Sequence, residues 1–506
     1  MNSKLIKNQI IHYVDAGFPI IYINTFEEMK ADELIVDVSG SVRREVLEWD
    51  ASNGVTKWNI KDGNVTKLHS SDGDYSLEQA LQILKEDKEL SEKILVIKDA
   101  HHFFDNPRII SMLKDISHKV LSGLEATIVI VSPMLSIPKE LEKHMTVLEI
   151  GYLEDVEIEE IIKEFDCEYT CDIKQVLLDE MVLAFKGLSE YEIKNILALA
   201  YANDGAFTKA DLKLIHDQKQ QVIKKSGILE MIPLKESLDD IGGLENLKKW
   251  LKKKAAVINN LNKAVEFGVD MPKGVLIAGL PGCGKSLNAK AAANLFDVPL
   301  LRLDMGRLLG KYVGESEANM RKAISLAEAI SPCVLWIDEI EKAFAGIGES
   351  GGGAEVTTRL FGNFLTWMQE KTSSTFVVAT ANNILKLPPE LMRKGRFDEI
   401  FYVGLPNNEE RKKIFQIHIS KRRNADLPKI DIGKLVEKTD GYSGADIEGI
   451  VRDSIEETFA SGKLELTTDC LLDAIANTHS LSEIMKEPLE KMSKEYKERK
   501  FKNASN

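Results

Sequence analysis

The apolar positions of this chain fall in short, dense runs separated by longer polar or amphipathic stretches. Pro19–Ile23, Ile94–Ile97, Thr127–Val131, Val275–Ala278, Val334–Ile337 and Thr375–Ala379 are each of strand length and apolar at nearly every position. Such runs predict strands buried on both faces, as in a parallel sheet covered by helices. Ser286–Phe296 is a helix-forming stretch directly after one of them, and Ser480–Asn506 is a charged helical stretch with Lys and Arg clustered between Lys491 and Lys502. The pattern predicts an α/β fold. No run approaches the ~18 apolar residues of a membrane-spanning helix, so no membrane insertion is expected.

Chemistry enters between the fourth run and the helix that follows it. Gly279-Leu280-Pro281-Gly282-Cys283-Gly284-Lys285-Ser286, with Leu287 next, matches G-x-x-x-x-G-K-[ST] in the strand–turn–helix context of a phosphate-binding loop. Glycines let the backbone turn sharply and aim N–H groups at phosphate oxygens, and the helix N-terminus adds positive charge. Lys285 is placed to reach β- and γ-phosphates and Ser286 to hold Mg²⁺. This predicts binding of ATP or GTP. Val334–Ile337 ends in Asp338-Glu339, an acidic pair suited to supporting Mg²⁺ and polarising the attacking water. The run Thr375–Ala379 leads to Asn382, an amide suited to the γ-phosphate or the lytic water. Arg393 and Arg396 follow, and guanidinium groups suit the spread charge of a phosphoryl-transfer transition state.

This ordered series resembles the AAA clade of the AAA+ ATPases over residues 237–480. Asp239-Asp-Ile-Gly-Gly-Leu244, Met392–Asp398 and Gly441-Tyr-Ser-Gly-Ala-Asp446 carry the likeness. The resemblance implies a P-loop parallel sheet with a helical lid, ATP and Mg²⁺ as ligands, Asn382 as sensor 1, and Arg393 and Arg396 as fingers acting on a neighbouring subunit's nucleotide. It places Ile241, Gly242, Gly444 and Ala445 near base and ribose. It also implies a homo-oligomeric ring, a hexamer by analogy, with Lys311, Tyr312 and Val313 in a pore loop gripping a protein client and Gly346–Gly353 as a second pore loop.

Composition narrows the partners. The 506 residues allow two to four domains, and the net charge of −14 argues against broad attraction to nucleic acid or anionic lipid. Five cysteines without metal-site spacing, and an N-terminal stretch without a secretory pattern, lead to the expectation of a reducing, cytoplasmic setting. Cys283 lies inside the phosphate loop, which raises the question of oxidation sensitivity.

The first half repeats the second in degraded form. Ile94–Asp99 parallels Val334–Glu339, with Phe104 at the offset of Phe344. Thr127–Val131 then Ile137–Leu141 parallels Phe376–Ala379 then Leu387–Leu391, and Gly187–Ile193 parallels Gly441–Ile447. Where the phosphate loop belongs, Asn24–Lys30 has no glycine and carries Glu27 and Glu28, whose charge opposes phosphate. Lys98 occupies the place of the magnesium Asp, and Ser132 or a neighbour that of Asn382.

Residues 1–216 are therefore expected to form a non-catalytic AAA-like domain, 217–236 a polar linker, 237–406 the ATPase large subdomain, 407–480 its lid and 481–506 a terminal helix or tail. This layout is similar to the AAA proteins of hypothetical plastid reading frames and their bacterial relatives, with Ser331–Glu339, Phe361–Trp367 and Val377–Asn383 carrying the closer likeness. Lys311-Tyr312 departs from it toward the unfoldases. Two functions follow as expectations: a motor that remodels or threads protein clients, or a slow ATP-dependent switch acting through the inactive first domain.

Overall fold

The computed structural model describes residues 3–61, 64–69, 76–225, 227–308, 315–343, 352–484, 495–496 and 501–506. The chain divides into two compact units, Met1–Leu212 and Lys213–Asn506. Each contains a seven-stranded sheet.

The first unit contributes β1 (Ile20–Asn24), β2 (Glu45–Asp50), β3 (Gly54–Lys61), β4 (Asn64–His69), β5 (Lys93–Lys98), β6 (Ala126–Ser132) and β7 (Met145–Glu149), in the order β4-β3-β2-β5-β6-β1-β7. The second contributes β8 (Leu229–Ile232), β9 (Gly274–Gly279), β10 (Leu300–Leu303), β11 (Cys333–Ile337), β12 (Thr375–Ala381), β13 (Glu399–Val403) and β14 (Lys502–Asn503), in the order β14-β13-β9-β12-β11-β10-β8. The central strands are parallel in both sheets, as the apolar runs predict, and β9, β11 and β12 are buried at every position.

The parallel cores β2-β5-β6-β1-β7 and β10-β11-β12-β9-β13 have one topology, with the first strand between the fourth and fifth. Register makes the correspondence residue by residue. Ile97 lies opposite Ile130 and Lys98 opposite Val131, as Ile337 lies opposite Ala379. Lys98 therefore corresponds to Asp338, and Asp99 to Glu339. Asp99 and Glu339 share a left-handed backbone, φ 51° and 49°. The position of Asn382 falls on Pro133, one beyond Ser132. Ser189 and Ser443 each cap a helix through a capping box, preceded two residues earlier by a glycine at φ 82°. Phe344 lies outside the described residues.

In the first unit the turn after β1 is short, and an ion pair stands at the position of Asp338. Only Thr25–Glu27 separate β1 from the helix Glu28–Val42, and the Thr25 hydroxyl accepts from the Glu27 amide at 3.0 Å. Lys98 is buried and pairs with Asp32 at 2.6 Å and Glu28 at 3.6 Å. Burial opposes its charge, but Asp32, Glu48 and Glu28 outweigh burial and hold the amine protonated.

Two expectations about connecting segments are corrected. Residues 217–236 are no bare linker: the helix Asp211–Lys225 runs into them, and β8 then pairs antiparallel with β10, with Arg302 and Glu230 2.6 Å apart. Only four residues long and half buried, β8 gives no periodic signal. Residues 481–506 are no free tail: a short helix Leu481–Ile484 precedes the undescribed part, and β14 then returns to pair parallel with β13. Ala504 beyond it is fully buried.

Burial pushes the Glu27 carboxyl up to about 7; Lys30 opposes this, and Glu192 and Glu190 add to it. A carboxyl that binds its proton more tightly when folded stabilises the unit below the unfolded value of 4.5, and that contribution is lost as pH rises through 7. Glu27→Gln, neutral at every pH, is expected to stabilise the first unit at about pH 8 by about 1–2 kcal/mol, discounted for solvent screening. Hydrogen exchange of the β1 amides across this range checks it; an unchanged pH dependence contradicts it.

Candidate functional site

In the second unit five residues, Leu280–Gly284, separate β9 from the helix Lys285–Phe296, against three at the corresponding place in the first unit. Gly279 ends β9 at φ 156°, and a Cβ there would lie 2.0 Å from the Val403 carbonyl oxygen. Gly282 and Gly284 have φ 72° and 82°. Gly284 is the N-cap of the helix and supplies no side-chain cap, so the first-turn amides face the loop's concave side. The helix can press close under the sheet because Ala289, Ala291, Ala292 and Ala293 are fully buried against it.

Two further strand ends, those of β11 and β12, converge here. Asp338, just past β11, accepts from the Ser286 hydroxyl at 3.2 Å and from the Thr380 hydroxyl. Thr380 Oγ1 in turn accepts from the Glu339 amide at 3.1 Å, fixing the turn that carries both carboxylates. Asn382 donates its side-chain amide to Glu339 Oε1 at 2.7 Å and its backbone N–H to Glu341 at 2.8 Å. Glu341 is buried, and among the described residues its second carboxylate oxygen has no hydrogen-bond partner. Lys285 folds back to donate to the Leu280 carbonyl at 2.6 Å. Burial pulls its ammonium below the ordinary range, opposed by Cys283, Glu341, Asp338 and Glu339. Burial also pushes the Cys283 thiol up to about 11, which leaves little thiolate and argues against oxidation sensitivity.

A cavity of about 390 Å³ gathers these residues. Its lining includes Ile241, Gly242, Pro281–Leu287, Asp338, Glu339, Asn382, Gly444 and Ala445. Gly279 and Leu280 are not part of this lining; both are buried, Gly279 paired with Val403 of β13 and the Leu280 amide donating to the Val403 carbonyl at 3.1 Å. The lid closes one side, the Ala445 amide donating to the Gly282 carbonyl at 2.9 Å. A Cβ on Gly282 would come within 2.9 Å of Ser443 Oγ and 3.0 Å of the Ala445 Cβ, so only glycine fits under the lid helix.

Other lining residues carried no sequence signal. Glu410, Ile414 and His418 come from the helix Asn408–Arg423, and Glu448 from the lid helix Gly444–Ala460. His418 Nδ1 lies 3.7 Å from Glu448, which is bound by Arg422 at 2.8 Å. Burial lowers the His418 pKa, with Glu448 opposing. Thr380, outside the lining but bonded to Asp338 and the Glu339 amide, had a readable sign: a hydroxyl inside an apolar strand.

Arg393 and Arg396 do not line this cavity. Both follow the 3₁₀ turn Pro389–Met392, Arg393 exposed and Arg396 bonded to the Glu390 carbonyl. Lys311, Tyr312 and Val313 lie outside the described residues, as do 346–351 of the other glycine-rich loop; Gly352 and Gly353 begin the helix Gly352–Glu370. Among the described residues no helix is long and apolar enough to cross a membrane.

Comparison with known proteins gives four family matches. Residues 6–150 match the SpoVK-like AAA ATPase N-terminal domain and 155–226 its second domain. Residues 275–405 match the ATPase family associated with various cellular activities, and 429–473 the AAA+ lid domain. An uncharacterized AAA domain-containing protein ycf46 from Guillardia theta is 37% identical over 481 residues, 94% of this chain and 92% of the relative. The protein of that name from Pyropia yezoensis is 36% identical over 476 residues, 94% of each. Cell division control protein 48 homolog B of Arabidopsis thaliana is 35% identical over 259 residues, 50% of this chain and 41% of the relative.

Gly279→Ala puts a side chain into the Val403 backbone at a strained φ. It is expected to destabilise the second unit by about 3 kcal/mol. Urea unfolding read by hydrogen exchange in β9 measures this; a loss under about 1 kcal/mol contradicts the close approach.

Proposed function

The chain belongs to the AAA ATPases, in the family of the uncharacterized AAA domain-containing ycf46 proteins, and from that membership we propose that it is a Mg²⁺-dependent, ring-forming ATPase whose second unit alone turns over nucleotide. The observation that carries the reading is the convergence of Lys285, Ser286, Asp338, Glu339 and Asn382 on one cavity beneath the lid. The Gly282–Ser286 amides cradle the phosphates, and Lys285 exchanges the Leu280 carbonyl for phosphate oxygens. Asp338 and Glu339 sit close to where a triphosphate would lie, so its charge needs a cation between. Ser286 and Asp338 are the pair to hold Mg²⁺, which neutralises charge on the β- and γ-phosphates when bound. Glu339, held by Asn382, takes the proton of the attacking water. The base and ribose lie against Ile241, Gly242, Gly444 and Ala445.

Arg393 and Arg396 stand away from their own cavity, which suits action on the next subunit's nucleotide. A ring, a hexamer by family likeness, places the Tyr312 loops for contact with a protein client. A second reading, a slow switch, is favoured by one observation: 212 residues form a unit in which Lys98, paired with Asp32, stands at the position of Asp338.

ATP turnover per subunit is expected to rise steeply with protein concentration and then plateau, because sites are completed between subunits. Arg396→Ala is expected to lower that plateau by about 10³–10⁵ while ATP affinity is unchanged. A turnover independent of concentration, or a near-normal Arg396→Ala rate, contradicts the ring.

A further inference from the structure

The wall Ile241–Leu244 of the cavity is held from two sides. Leu244 adopts φ 57° and caps the helix Glu245–Ile258 without any side-chain bond. From the lid side, Glu410 accepts from the Leu244 amide at 2.9 Å and from the Asn407 amide at 3.0 Å. It lies so close that a Cβ on Gly243 would be 2.4 Å from its Cγ.

From the sheet side the support comes from a segment remote in sequence. The Ala504 carbonyl accepts from the Asn246 amide at 3.0 Å and the Leu247 amide at 3.2 Å, two of the orphan donors that open this helix. The Asn246 side chain donates to the Ser505 carbonyl at 2.7 Å and the Asn503 carbonyl at 3.3 Å. The segment is itself fixed by β14 pairing with β13, by the Ala504 amide donating to the Tyr402 carbonyl at 2.9 Å, and by the ion pair of Lys502 with Glu399. Lys248, one turn into the helix, then donates to the Ile241 carbonyl at 2.6 Å, tying the far end of the wall to the same helix. Undocking 501–506 would leave two helix amides and the Asn246 side chain without these partners, at the point where the helix meets the cavity wall.

Resting on the reading of the cavity as a nucleotide site, we propose that residues 501–506 are a positioning element of that site. By capping the helix Glu245–Ile258 they keep Ile241–Leu244 in the conformation that accepts the base. Nucleotide binding and docking of this segment are then coupled, and the coupling is reciprocal: nucleotide tightens the segment as the segment tightens nucleotide. The segment never touches the phosphates, so its effect falls on affinity rather than on the chemical step.

Calorimetry with ADP and Mg²⁺ on the intact chain and on a chain ending at Lys500 tests this. The shorter chain is expected to bind ADP about tenfold more weakly at undiminished stoichiometry, with ATPase KM raised and kcat changed by less than about twofold. Asn246→Ala, which keeps the whole chain, is expected to weaken ADP in the same direction by a smaller factor. In the intact chain, saturating ADP is expected to slow exchange of the Asn246, Leu247 and Ala504 amides. An unchanged ADP Kd in both variants overturns the proposal. So does a fall in the number of competent sites at constant Kd, which marks a purely structural role. Absence of ADP binding by the intact chain overturns the reading of the cavity itself.

Discussion

A parallel strand that runs into a helix leaves the helix's first amides without partners, and what meets those amides decides what each half of this chain can do. In the second unit glycines at 282 and 284 take the backbone through left-handed angles and the helix opens uncapped onto a cavity. In the first unit a three-residue turn leads straight into the helix, and buried Lys98 stands where the second unit has Asp338. The same topology thus carries an uncapped helix start beside a cavity in one half and a buried ion pair in the other. The difference is one of charge and turn length, not of architecture.

The candidate site depends on strand ends held by polar contacts across the sheet. Thr380 joins the Asp338-Glu339 turn to the next strand, and Asn382 joins Glu339 and Glu341 to that same strand. The lid meets the phosphate loop through a backbone bond at Gly282, so lid position and loop shape cannot vary independently. Glu410 extends that dependence to the Ile241–Leu244 wall. Lid, glycine-rich loop and cavity wall are therefore joined through short, direct contacts rather than through a long relay.

Much of this was legible in the sequence because the relevant chemistry is contiguous. The phosphate loop, Asp338-Glu339 and Asn382 each follow an apolar run, and a strand of that kind announces where its last residue will point. The correspondence of the first half was readable for the same reason, and register puts its Asn382 counterpart at Pro133, the neighbour of Ser132. Glu410, His418 and Glu448 were not legible: they reach the cavity from helices whose packing, not spacing, brings them there. The edge strands β8 and β14 were missed because they are short and take their form from the strands they pair with.

The central claim is that one half of the chain can hold a nucleotide and the other cannot. The most direct measurement is the number of ADP molecules bound per chain in the presence of Mg²⁺, by calorimetry, in the intact protein and in Lys285→Ala. The account predicts one per chain, with that single binding event lost or strongly weakened in the variant. Two per chain, or one that survives Lys285→Ala unchanged, would contradict it.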